Sequence, residues 1–231
     1  MTLPFDYTLR HSDRRRTIGL EVNKGQVIVR APRAIPQANV LALLQARVPW
    51  VLDKLARQRK RLAEIPERRY HAGESLPFCG ESLSLVIERA TRANIERAGT
   101  ALRVVLSTRS RLNDTEQARR LVEQWYRTEA LNLLAAKSHA LAERMGLRVA
   151  NVKVRATRSK WGHCTHRGEL QYNWHILLAP ASVIDYLVAH EVCHLRHPNH
   201  SKAYWQCVAS VCPNYRAERD WLKTQGHTLV L

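Results

Sequence analysis

At the start of the chain, short runs of β-branched and apolar residues are separated by polar, turn-forming ones. Residues 17–22 and 26–30 form two such runs, and Asn23, Lys24 and Gly25 lie between them. Asparagine and glycine between two extended segments are typical of a tight turn, because both tolerate left-handed backbone angles. The pattern therefore predicts a β-hairpin.

The spacing of apolar positions then changes to the three- and four-residue intervals of a helix. This spacing runs from residue 37 to residue 64, and Pro49 within it predicts two helices or a kink, because proline lacks the amide proton that a helix interior needs. Strand-like patterns return at residues 74–78, 83–88 and 101–106. We therefore interpret residues 1–110 as a β-rich N-terminal region with a helical insertion.

Beyond residue 110 helical patterns dominate. Asp114 can cap a long helix, with Gln117 reaching back toward it, and Gly146 supplies a left-handed residue where that helix should end. Two strands and three further helices are predicted, in chain order, at residues 149–155, 169–174, 181–195, 201–211 and 216–225. We therefore predict a second domain at residues 111–231 and an α+β fold for the chain.

The helix predicted at residues 181–195 contains a His-Glu-x-x-His sequence formed by His190, Glu191 and His194. Residues four apart share one helix face, so the two imidazoles converge, and Glu191 projects toward the same end about 100° around the axis. Two neutral nitrogen ligands with a carboxylate beside them are what a hydrolytic Zn²⁺ site requires. His200 follows after the helix ends and is predicted as the third ligand.

Two neighbouring residues have simpler interpretations. His197 precedes a proline and is expected beside the site or at the surface, and Cys193 is expected to pack in the core, because it faces away from Glu191 on the helix. The predicted cofactor is one Zn²⁺ ion per chain. A three-histidine site also accepts other divalent transition metals such as Mn²⁺, Ni²⁺ and Co²⁺.

Three separated segments of the chain resemble the same protein family. They are R-S-K-W-G-H-C-T from Arg158, N-W-H-I-L-L-A-P from Asn173, and H-E-V-C-H-L-R-H-P-N-H-S-K-A-Y-W from His190. Together they closely resemble the YgjP-like metallopeptidase family, a bacterial group of metal-dependent hydrolases related to SprT-like and other zincin proteins. The resemblance implies a zincin-like catalytic domain, with His190, His194 and His200 at the metal positions and Glu191 as general base.

The chain departs from the usual sequence of that family at two positions. His163 stands where the family often has serine after Trp-Gly, and Tyr204 stands where it often has phenylalanine before tryptophan. Both differences affect residues that can contact a substrate.

Metzincins share the interval between His194 and His200, but they carry glycine at the position of His197 and a methionine turn downstream of the ligands. Methionine occurs here only at Met1 and Met145, both upstream. The sequence therefore argues against a metzincin.

The predicted chemistry is hydrolysis by an activated water molecule. Zinc lowers the pKa of bound water to about 7, and Glu191 is expected to accept a proton from that water and pass it to the leaving group. His163, His175 and Tyr204 are candidate substrate contacts or donors to the oxyanion. We expect an extended peptide to pair with an exposed strand edge around residues 171–174, and we expect Cys164 near the same cleft.

The charge of the chain broadens the range of functions. Lysine and arginine number 37 against 20 acidic residues, a formal net charge of +17. Such a surplus attracts anionic partners, so a nucleic acid or nucleotide is a candidate partner beside a peptide or protein substrate. Three functions stay open: a zinc metallopeptidase, a metal-dependent phosphohydrolase of the nucleoside triphosphate pyrophosphatase type, and a nucleic-acid-associated SprT-like protease or binding module. No Walker-type glycine loop supports the second.

Cysteine usage and hydropathy predict a location. The five cysteines include no C-x-x-C pair, and the N-terminus has no apolar segment of signal-peptide length. No window approaches the roughly 18 apolar residues of a membrane-spanning helix. We therefore expect a cytoplasmic protein that does not enter a membrane.

Overall fold

The computed structural model describes residues 2–157 and 159–231, so Arg158 of the first quoted segment lies outside the described residues. Within this range the chain forms six α-helices and ten β-strands in three sheets. The protein is therefore of the α+β class with a β-rich N-terminus, as predicted. It divides into two compact units, Met1–Pro66 and Glu67–Leu231. No helix among the described residues has both the length and the hydropathy needed to cross a bilayer.

The first unit is a three-stranded sheet with two helices. In chain order its elements are β1 (Tyr7–His11), β2 (Gly19–Asn23), β3 (Gln26–Ala31), α1 (Gln37–Ala46) and α2 (Val48–Ala63). β3 lies between β1, which is parallel to it, and β2, which is antiparallel. The predicted hairpin is confirmed, with Lys24 and Gly25 at positive φ in the turn.

Pro49 marks the start of a helix rather than a kink within one. It lies in the first turn of α2, where its missing N–H group is not needed, and α1 ends just before it at Ala46. A small apolar core lies between the sheet and the helices, with Val27, Val29, Val40, Leu44 and Val51 among its buried residues.

The second unit begins with a four-stranded sheet. Its strands β4 (Ser75–Phe78), β5 (Glu81–Ala90), β6 (Asn94–Ala98) and β7 (Ala101–Ser107) lie in the order β4-β5-β7-β6. β6 was not predicted, since its residues alternate little in polarity. The buried residues of this sheet share one core with the long helix α3 (Asp114–Arg144). The boundary between the two compact units accordingly lies between Pro66 and Glu67. The domain boundary near residue 110, which followed β content, stays a prediction.

The helix α3 ends where predicted but is capped differently at its start. Asn113, not Asp114, accepts a hydrogen bond at 2.9 Å from the backbone N–H of Glu116. Gln117 instead accepts from the backbone N–H of Ser107 and donates to a neighbouring carbonyl. Gly146 follows with φ +64°, the left-handed conformation that the sequence predicts after the helix.

The remaining elements carry the candidate site. They are β8 (Asn151–Arg155), β9 (Gly162–Cys164), β10 (Glu169–Asn173), a 3-10 turn (Trp174–Leu178), α4 (Ala181–Cys193), α5 (Lys202–Val211) and α6 (Tyr215–Gln225). The strands form a sheet in the order β8-β10-β9, with β10 parallel to β8 and antiparallel to β9.

The exposed strand edge differs from the prediction. Residues 171–173 belong to β10, which is paired on both sides, and Trp174 lies in the 3-10 turn. The segment after Trp161 contains β9, which pairs with one side of β10. β8 and β9 are therefore the edge strands of this sheet, and the expectation that residues 171–174 form an exposed edge was wrong.

Candidate metal centre and active site

α4 places two histidines and one glutamate at the same end of a buried helix. His190 and Glu191 lie in its last turn, and His194 caps it with helical backbone angles, φ −66° and ψ −19°. The imidazoles of His190 and His194 therefore keep the one-turn spacing of a single helix face. The helix is fixed in the core by apolar residues spaced three and four apart, which are Val183, Ile184, Leu187, Val188 and Val192.

The side chains of His190, His194 and His200 meet at one point. One ligand atom from each lies within 4.8 Å of the other two, and the Nε2 atoms of His190 and His200 are 3.3 Å apart. Two nitrogens bound to one tetrahedral zinc ion at about 2.0–2.1 Å are about 3.3 Å from each other. The three histidines therefore fit a divalent transition metal ion.

Hydrogen bonds fix the orientation of two of these rings. The Nδ1 atom of His194 lies 3.0 Å from the backbone carbonyl of His197. Because a carbonyl oxygen only accepts, Nδ1 donates and the Nε2 lone pair is left for a metal. The hydroxyl of Tyr186, one helical turn before His190, lies 3.5 Å from Nδ1 of that histidine. His197 thus orients a predicted ligand through its backbone.

Tyr204 packs against all three imidazoles. Its ring centroid lies 5.5 Å from that of His190, 4.5 Å from that of His194 and 4.8 Å from that of His200. The residue is fully buried, and its hydroxyl donates to the backbone carbonyl of His190 at 3.0 Å. Tyr204 therefore supports the metal centre by packing and by holding the end of α4.

The local environment keeps the imidazoles of His190 and His194 neutral. Burial, together with the smaller effects of the neighbouring His194 and His200, lowers the pKa of His190 to about 3. Burial also lowers the pKa of His194, against the opposing effect of its hydrogen bond to the carbonyl of His197. A neutral imidazole is the form that binds a metal, so these two rings need not lose a proton first at neutral pH.

Glu191 is a buried carboxyl group beside the histidines, with 3% of its surface exposed. Burial raises its pKa to about 8, and the charge of Lys160 partly opposes that shift. Gly162, the first residue of β9, lies directly against it: a Cβ atom there would stand 2.2 Å from Oε1 of Glu191. Only glycine allows β9 to approach the carboxyl group this closely.

Glu191 and the three histidines line one cavity of about 390 Å³, which we call the histidine cavity. Its wall also includes Lys160 and all of β9. Cys164 lies in this wall, which confirms the expectation that it is near the cleft. The cavity thus combines a metal-binding cluster, a buried carboxyl group and a strand edge.

The structure separates the three candidate substrate contacts. His163, on β9, lines the histidine cavity. His175 lines a different cavity, and its Nδ1 atom lies 2.9 Å from the Oδ1 atom of Asn173. Tyr204 is buried behind the histidines with its hydroxyl already bonded. Of the three, His163 is the one that the fold brings to the cavity.

Sequence reasoning missed three residues of the site. Tyr186 lies four residues before His190, and that interval on one helix is a signal for contact. Gly162 and Lys160 flank Trp161, but the contact of Gly162 with Glu191 and the effect of the Lys160 charge on the pKa of Glu191 depend on how β9 packs against α4. That packing joins distant parts of the chain, and no local pattern indicates it.

The fold and the site define the class of the protein, a metal-dependent hydrolase, and comparison with known proteins gives its family. A model of the YgjP-like metallopeptidase domain matches residues 16–225. The chain belongs to the YgjP-like metallopeptidase family.

Solved structures similar to part of the chain include the metallopeptidase zymogen abylysin of Pyrococcus abyssi. The match has 18% sequence identity and a TM-score of 0.37, and it covers 40% of this chain and 93% of that one. No curated protein matches the sequence.

Proposed function

We propose that the protein is a zinc-dependent peptidase in which His190, His194 and His200 hold the zinc ion and Glu191 is the general base. The observation that supports this proposal most is the convergence of three histidine nitrogens beside a buried carboxyl group, in one cavity bordered by an edge strand. Membership of a metallopeptidase family agrees with it. The natural substrate is a peptide or protein segment.

His190, His194 and His200 would hold the zinc ion, which would supply a Lewis acid that lowers the pKa of a bound water molecule to about 7. An Oε atom of Glu191 accepts a proton from the attacking water and then passes it to the nitrogen of the leaving amine. Without a metal ion, burial raises the pKa of Glu191 to about 8, and a cation bound beside it would lower that pKa again and favour the carboxylate form that a general base requires.

The edge strand β9 orients the substrate. One side of β9 is paired with β10, from Gly162 opposite Tyr172 to Cys164 opposite Leu170. An extended peptide pairs with the other side through backbone hydrogen bonds, which depend little on its sequence. Because Gly162 contacts Glu191, this pairing brings a peptide bond next to the general base.

His163 is the side chain that stabilises the oxyanion. It lies on β9 in the wall of the histidine cavity, and it is close enough to His194 to lower the pKa of that residue. A donor at this position can interact with charge that develops on the carbonyl oxygen during attack.

The test is an activity screen of zinc-loaded protein against a set of peptides and against nucleoside triphosphates, because a metal and a general base also hydrolyse phosphoanhydrides. We expect peptide cleavage. Glu191→Gln should retain zinc, but its kcat/KM should fall by at least about a thousandfold, because the glutamine side chain has the same shape as glutamate and accepts no proton. Glu143→Gln, at an exposed position of α3, is the matched control and should behave as the unmodified protein. Normal turnover by Glu191→Gln, or hydrolysis of triphosphates alone, would contradict the proposal.

A further inference from the structure

A second cavity lies beside the histidine cavity and shares one residue with it. It has a volume of about 430 Å³, and we call it the lysine cavity because Lys160 and Lys223 both line it. Lys160 lines the histidine cavity as well. The two cavities are therefore neighbours along the segment that leads into β9.

The charged groups of the lysine cavity are all basic. Lys160 and Lys223 are exposed, and no aspartate or glutamate lines the cavity. Among the described residues neither ammonium group forms an ion pair with a carboxylate of the chain. Two ammonium groups without a carboxylate partner at the mouth of one cavity favour an anionic ligand.

One part of the cavity wall is apolar. Leu222 and Leu229 are buried, and Trp161 packs against Gly226 so closely that a Cβ atom there would lie 3.0 Å from the indole ring. Such walls suit the methylene groups of a side chain that carries its charge at the end. A glutamate side chain has this form, with an apolar stem and a terminal carboxylate.

His175 adds no charge to the cavity. Oδ1 of Asn173 accepts from the backbone N–H of His175, so the Nδ1 atom of His175 must be the donor in its own contact with that oxygen. Burial lowers the pKa of His175 to about 4, which leaves the ring neutral at neutral pH. Among the residues that line the cavity, Lys160 and Lys223 are the ones whose side chains carry a permanent positive charge.

We propose that the lysine cavity is a specificity subsite that binds the carboxylate of an acidic substrate side chain, glutamate in particular, through Lys160 and Lys223. The proposal rests on the proposed peptidase function and names the substrate class for the same site. Lys160 precedes Gly162 by two residues, and Gly162 contacts Glu191. Two residues of extended chain span about 7 Å, so the acidic side chain belongs to a residue within about two positions of the cleaved bond.

The test compares peptides that differ by one glutamate or glutamine at successive positions around the cleaved bond. We expect the glutamate peptide to be cleaved with a kcat/KM about three- to tenfold higher at one of these positions, because ion pairs with exposed lysines are individually weak. Lys160→Gln and Lys223→Gln should each bring this ratio toward one. Lys60→Gln, an equal change of charge on α2, should leave the ratio unchanged. Added salt should reduce the preference, since both lysines are exposed.

A second measurement separates this inference from the proposed reaction. Labelled glutamate and glutamine peptides are titrated with the Glu191→Gln protein, and binding is followed by fluorescence anisotropy. We expect the glutamate peptide to bind more tightly than the glutamine peptide, and we expect Lys160→Gln and Lys223→Gln to remove this difference. This result would support the subsite even if no peptide were cleaved, and in that case only the peptidase assignment would be wrong. Equal binding and equal cleavage of the two peptides at every position would overturn the subsite and leave the peptidase proposal intact.

Discussion

The two compact units differ in what they bury. In the first unit, Met1–Pro66, every fully buried residue that the structure describes is apolar. The second unit, Glu67–Leu231, has a larger apolar core and also buries four polar side chains among its described residues, Gln117, Ser138, Asn173 and Glu191. A buried polar group costs about 1–3 kcal/mol unless it is hydrogen-bonded. Each of these four buried side chains therefore requires either a hydrogen-bond partner or a functional reason for its burial.

Three of these four groups have structural partners. Gln117 bonds to the backbone on both sides, the hydroxyl of Ser138 lies 2.9 Å from that of Tyr172, and the amide of Asn173 donates to a carbonyl at 3.0 Å. Glu191 differs, because no hydrogen bond from another described residue reaches its carboxyl group. A buried ionisable group without such a partner is costly for folding, and its place beside the histidines indicates that it is retained for chemistry. The difference between the units thus supports the proposal that the reaction takes place in the second unit.

The largest expected effect is on metal binding, which should depend on the second unit alone. His200→Ala should raise the Kd for zinc by more than about a hundredfold, because it removes a ligand. Substitution of a group that only orients a ligand already lowers metal affinity by about 10- to 100-fold. His197→Ala should change Kd by less than about threefold, since the backbone carbonyl that orients His194 remains. Competition with a chromophoric chelator measures both values.

The control for this prediction comes from the first unit. His11 is exposed on β1, and His11→Ala should leave zinc affinity unchanged. Equal losses for His200→Ala and His197→Ala, or the reverse order, would assign the third ligand differently. A loss for His11→Ala would break the comparison between the units.

A smaller effect is expected from adding one methyl group beside Glu191. Gly162→Ala forces the carboxyl group to move, because the new Cβ atom would lie 2.2 Å from Oε1, and a displacement of about 1 Å in a catalytic group lowers kcat/KM about a hundredfold. Gly19→Ala in the first unit meets only the end of the flexible Arg15 side chain, at 2.6 Å, and should have little effect. Peptide cleavage assays and zinc content should be measured on both variants. Full activity of Gly162→Ala would show that β9 and Glu191 are not held as closely as the structure indicates.

The local features of the site could be predicted from the sequence. The helix of α4, its two histidines and its glutamate follow from apolar spacing and from the four-residue interval, and both are properties of one short segment. The turn at Lys24 and Gly25 and the end of α3 at Gly146 were confirmed for the same reason, since each depends on the backbone preferences of one or two residues.

The features that failed depend on contacts between distant segments. β9 has three residues, too few for an alternating pattern, and it exists because it pairs with β10. The shared core of β7 and α3 likewise follows no local pattern, and the domain boundary near residue 110, which followed β content, stays a prediction. Likewise, nothing in the sequence distinguishes His163 from His175 as a site residue, and it is the fold that places them in different cavities.

The smallest expected effect concerns a charged surface group of the second unit. Glu116, in the first turn of α3, accepts hydrogen bonds from Arg119 and Arg120, and these lower its pKa to about 2. A depressed pKa means that the carboxylate stabilises the fold above the unfolded-state value of about 4.5, and that this stabilisation is lost as pH falls toward 2. Glu116→Gln should therefore lower Tm slightly at pH about 7, and the two Tm values should converge as pH falls to about 2. The shift should be small, because solvent and salt screen an exposed group. Arg119→Gln should reproduce part of it, whereas a Tm difference that stayed constant between these pH values would show that charge at Glu116 does not contribute to stability.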